Sequence, residues 1–87
     1  MTRAREESLR ALAERLEIEA EFLDECVRHG VLIPREAEAL SAAQLAKLRR
    51  LRRLCAGLEL DVFAGSIIVD LLEQMDAMRR DLDRLGL

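Results

Sequence analysis

Three carboxylates cluster in the stretch EIEAEFLDECVRHGVLIP, at Glu21, Asp24 and Glu25. Two chemistries use such a set. Paired carboxylates can act as acid and base, but one of them then needs a cleft that desolvates it. They can also present a negative surface to a basic partner. The spacing puts them, with Arg28, on one side of a helix whose opposite side carries Phe22, Leu23, Cys26 and Val27. They therefore face solvent and no cleft is implied, so the second chemistry is the expected one. The other reactive residues build no site. His29 is the lone histidine and lies at a helix end, where its charge would suit the helix dipole. Ser8, Ser41 and Ser66 have no histidine partner for nucleophilic attack. Cys26 and Cys55 belong to no C-x-x-C, and are expected as free thiols in a reducing cytosol. No enzyme activity, cofactor or metal is expected.

The elements that position these residues read as helices throughout. Residues 1–7 are polar and expected to fray, and Ser8 would cap a first helix over 9–16 with the stripe Leu9, Leu12, Ala13, Leu16. A turn with Ile18 inward leads to the second helix, 20–29, which Gly30 stops. Two short helices joined this way form a helix-turn-helix. Residues 31–33 and 39–40 could pair weakly around Pro34 as a vestigial wing. Ser41 and Gln44 have capping-box spacing, and Leu40 and Leu45 suit a hydrophobic staple, opening a third helix to about Ala56 that Gly57 ends. Asp61 caps the last helix, about 36 Å long if it runs to Leu85. Its first half, apolar on several sides, is expected to pack into the body. Its second half narrows to Ile68, Leu71, Met75, Met78, Leu82 and Leu85, a 3-4 spacing that fits a coiled-coil seam. Such a seam needs a partner helix, and a second copy supplies one. The organisation is thus a helix-turn-helix-like unit over 1–60 and a dimerisation helix over 61–87.

Composition narrows the function. A chain of 87 residues buries a limited core, which also favours a homodimer. The net charge is −3 and Phe22 and Phe63 are the only Phe, Tyr or Trp residues, a poor endowment for a nucleic-acid reader. The basic run from Lys47 to Arg53 is expected to be a solvated helix face, paired with Glu36, Glu38 or acids of the last helix, rather than a phosphate-contacting patch. No apolar stretch approaches a membrane span, and residues 1–10 lack an apolar signal core, so a cytoplasmic protein is expected.

Ile18, Glu21, Leu23, Asp24, Glu25, Val27, Gly30, Val31 and Pro34, the run Arg49 to Leu54, and Leu60-Asp61 follow an order that resembles the MerR-like helix-turn-helix superfamily. The resemblance spans residues 9–85. Within it the chain looks most like the chaperone-modulator branch typified by CbpM, and is similar to the DnaK–DnaJ assembly factors called DafA. DNA-binding members carry arginines and tyrosines along the second helix. Aligned on Leu23 and Gly30, this chain has Glu21 and Asp24 in place of arginines, and Glu25 and Cys26 in place of tyrosines. Carboxylates repel a phosphate backbone and forfeit counterion release. The resemblance implies a co-chaperone modulator that binds the J-domain of a DnaJ/CbpA-type protein through Glu21, Asp24, Glu25 and Arg28, with DnaK as a further member of the assembly. J-domains present a basic helix, a suitable match for an acidic one. The alternatives are a MerR-family DNA-binding transcription regulator and a helical dimer of another kind.

Overall fold

The computed structural model of the chain describes residues 2–33 and 39–86. Four helices follow one another: α1 (Thr2–Leu16), α2 (Ala20–Arg28), α3 (Ala42–Leu58) and α4 (Val62–Arg84). No strand occurs among the described residues. The expected all-α plan, a helix-turn-helix followed by a long helix, is the one found. The weak pairing of 31–33 with 39–40 is not formed. The Val31 and Leu32 amides both donate to the Cys26 carbonyl, at 2.8 and 3.1 Å, and this folds the chain back over the end of α2. Residues 34–38, the expected tip with Pro34, Glu36 and Glu38, lie outside the described residues.

The helix ends show local chemistry at work. α1 begins at Thr2, six residues before the expected cap at Ser8, because the run from Arg3 to Glu7 holds good helix formers and neither Gly nor Pro. Ser8 is therefore inside the helix. α1 stops at Leu16 as expected, but the stop is made by Glu17, which takes a left-handed φ of 57°. Its amide donates to the Glu14 carbonyl, and the Ile18 amide donates to that of Ala13 at 3.0 Å. This is a Schellman arrangement, with Ile18 and Ala13 both buried. Gly30, φ 71°, ends α2 with the same pair of bonds, from its own amide to Val27 and from Val31 to Cys26. α3 opens on a complete capping box: the Gln44 amide donates to Ser41 Oγ at 3.1 Å and the Ser41 amide to Gln44 Oε1 at 2.8 Å. It runs through Gly57, which does not end it; Glu59 does, at φ 54°. Asp61 caps α4 by accepting the Ala64 amide at 2.8 Å.

α1 packs on α2, α3 on α4, and α2 also meets α4. Leu9, Leu12, Ala13 and Ile18 bury against Leu23, Cys26 and Leu32, and the same core takes in Leu48, Leu51, Val62 and Val69. The α3–α4 crossing is tight at Gly65. A Cβ there would lie 2.5 Å from Cys55 Sγ and 2.9 Å from Leu51 Cδ1. Leu51 is fully buried and has nowhere to yield. Gly65→Ala is expected to destabilise the protein by about 1–2 kcal/mol despite alanine's better helix propensity, because overpacking outweighs it. Gly57→Ala meets nothing within 4 Å and should stabilise by about 0.5–1 kcal/mol. Denaturant melts of the two variants should therefore move in opposite directions, and a shift of both the same way would contradict the packing argument.

Candidate functional site

α2 is held from beneath by Leu23 and Cys26, which are fully buried, so its other side must face outward. Burial also pushes the Cys26 thiol up to about 12, which keeps it neutral and unreactive, and both cysteines are free. On the outward side the structure gathers all four predicted residues. Glu21 is exposed and makes no ion pair among the described residues. Asp24 and Glu25 are half-exposed and share Arg28, whose Nε lies 3.2 Å from Asp24 Oδ2 and whose Nη1 lies 3.2 Å from Glu25 Oε1. His29 Nε2 is 3.6 Å from the other oxygen of Glu25. Leu9 and Arg10 of α1 complete an open groove of about 500 Å³ along Ala20, Glu21, Asp24, Glu25 and Arg28. The carboxylates line an open, solvated groove rather than an enclosed cleft. Their arrangement suits the recognition of cations.

The start of α2 is anchored in a way the residue pattern did not reveal. Glu19 is the N-cap residue, yet its side chain caps nothing. Arg52 of α3 takes the carboxylate as a fork, Nε to Oε1 at 2.6 Å and Nη2 to Oε2 at 2.9 Å. This bond holds the Glu19 carboxyl well below its ordinary 4.5, at about 2. A depressed carboxyl contributes stability above its unfolded pKa and loses it as pH falls toward the folded one. The difference in melting temperature between the protein and its Arg52→Ala variant should therefore be full above about pH 4.5 and vanish by about pH 2. A difference that does not change across that window would show that Arg52 acts through packing alone.

The basic run on α3 is largely consumed inside the molecule. Lys47 Nζ lies 3.1 Å from Asp70 and 3.3 Å from Glu73, and Arg50 lies 3.3 Å from Asp76, as expected of pairing with acids of the last helix. Arg49 and Arg53 are exposed with no ion pair among the described residues.

The seam of α4 is open to solvent. Leu71, Met75, Met78, Leu82 and Leu85 are exposed, from 49% at Leu82 to 70% at Leu85. Ile68 is only partly exposed. The apolar first half of α4 was expected to pack inward as a whole, but only Val62, Gly65 and Val69 are buried. Phe63 and Ile67 point outward instead. A helix buries one stripe against one neighbour, and α3 covers only one side.

A helix-turn-helix whose second helix faces outward, joined through a capped third helix to a long terminal helix, is the architecture of a helix-turn-helix regulator. The profile of the MerR HTH family regulatory proteins matches residues 8–86, and the chain belongs to that family, one of non-enzymatic regulators. No curated protein and no solved structure matches the chain. Among the described residues no helix is long and apolar enough to cross a membrane, and no three His, Cys, Asp or Glu side chains are grouped to hold a metal ion.

Proposed function

We propose that this chain is a non-enzymatic modulator of the DnaK chaperone system, working in the cytoplasm. In this reading it binds the J-domain of a DnaJ/CbpA-type co-chaperone through the outward face of α2, and does so as a homodimer joined along α4. The observation that carries it is the sign of that face. The helix placed to meet a ligand presents Glu21, Asp24 and Glu25, and its one arginine is already drawn onto two of them. A basic helix is attracted to such a surface and a phosphate backbone is repelled. The resemblance to the chaperone-modulator branch gives that basic helix a place on a J-domain.

Family membership favours a second reading, a DNA-binding transcription regulator. The cations it would need are scarce, since Lys47, Arg50 and Arg52 are paired with Asp70, Glu73, Asp76 and Glu19. One experiment separates the two. Calorimetry against the isolated J-domain of the organism's own DnaJ-type protein should give measurable heat at low salt, and less as salt rises. The DNA upstream of the gene, titrated in parallel, should bind no better than about 10⁻⁶ M at physiological salt. Heat with the DNA and none with the J-domain would reverse the assignment.

A further inference from the structure

Of the two phenylalanines, Phe63 is the one the fold leaves open, at 57% exposure, and the α4 seam does not account for it. The heptad that places Ile68, Met75 and Leu82 at a and Leu71, Met78 and Leu85 at d puts Phe63 at c, outside the core of a two-helix coil. The His29 ring lies 5.8 Å from the Phe63 ring, tilted by 44°, and His29 Nε2 lies 3.6 Å from Glu25. His29 thus lies between the exposed Phe63 ring and the Glu25 carboxylate at the end of α2.

An aromatic face and a carboxylate together form a receptor for a guanidinium or ammonium group. The ring attracts the cation over its face and the carboxylate neutralises it. We infer that Phe63 belongs to the partner-binding surface and acts as its anchor, taking an arginine or lysine side chain of the partner's basic helix against its exposed ring, beside the acidic face of α2. The inference rests on the reading of the α2 face as the site for a basic partner. It assigns the two parts different work. Glu21, Asp24 and Glu25 steer the partner and set the salt dependence, whereas Phe63 supplies contact area that holds it.

The test is binding of the isolated J-domain by calorimetry, with dimer mass measured alongside by light scattering. Phe63→Ala should weaken binding by about tenfold or more, with little change in salt dependence and no change in dimer mass. Phe63→Tyr, which keeps the ring, should bind as the unaltered protein does, and Phe63→Leu should fall between. Unchanged binding by Phe63→Ala would overturn the inference, as would loss of binding that accompanies loss of the dimer, because Phe63 would then serve the seam. If the unaltered protein gives no heat with the J-domain, the partner reading falls. An octa-arginine peptide then judges this inference separately: weaker binding by Phe63→Ala upholds it, and equal binding overturns it.

Discussion

Aspartate at both Met75 and Met78 should turn the proposed homodimer into a monomer and lower its melting temperature. Both side chains stand mostly in solvent in the single chain, Met75 at 59% and Met78 at 65%. They lie at the middle of a stripe continued by Leu71, Leu82 and Leu85, and no other part of the described molecule covers it. Pairing with a second copy would bury what remains exposed, roughly 1 kcal/mol for each side chain that is already half covered. The double substitution forfeits that gain at the centre and sets four carboxylates against an apolar seam, where unpaired charge is costly. The melting temperature falls because stability in a dimer includes association, so it should also depend on protein concentration before the substitution and not after it. Light scattering at tens of micromolar reads the outcome. A monomeric mass for the unaltered protein would remove the seam from the account altogether. Glu21, Asp24 and Glu25 are on a different helix, so their site should survive the change in each released monomer.

The second large effect belongs to that site. Changing Glu21, Asp24 and Glu25 together to lysine should abolish binding to the J-domain while leaving the helical circular dichroism unchanged. Each exposed pair with a partner is weak, on the order of 0.2–1 kcal/mol, so no single carboxylate is expected to decide the matter. Reversing all three replaces attraction by repulsion along the whole approach, and Arg28 and Arg10 then add to it instead of being offset. The fold should tolerate this because α2 is anchored by Leu23 and Cys26, and the lost bonds to Arg28 are solvent-exposed. The control must be chosen from the structure. Arg49→Glu with Arg53→Glu reverses two exposed charges that make no ion pair among the described residues, and should leave binding close to that of the unaltered protein. Arg52 is unsuitable, since it holds Glu19 at the start of α2. Equal loss in both variants would move the site from α2 to α3.

Much of this architecture was legible in the residue order because its causes are local. The Ser41–Gln44 capping box, the Asp61 cap and the Gly30 stop each need only a few neighbouring residues, and each formed where its spacing called for it. The buried stripe of α1 and the acidic outward side of α2 follow from the helical repeat alone. Helix limits were less secure where no residue enforces them. Nothing in residues 3–7 halts a helix, so α1 extended beyond Ser8, and Gly57 tolerated a helix that Glu59 then ended. A non-glycine residue takes a left-handed φ at modest cost, which the hydrogen bonds and buried groups around it offset. Such an offset has no signature in the residue itself.

What remained hidden was contact between distant segments. Arg52 meets Glu19 across 33 positions, and Gly65 marks the tightest point of a crossing that no periodicity describes. The side of α4 that would be covered was likewise undecided, since its first half is apolar nearly all round. Packing against α3 chose Val62, Gly65 and Val69 for burial, and left Phe63, Ile67 and Leu71 in solvent. Periodicity defines the faces of a helix, but the neighbour that fills one of them is selected by the fit of the whole core, because burial energy depends on which surfaces meet and not on their order along the chain.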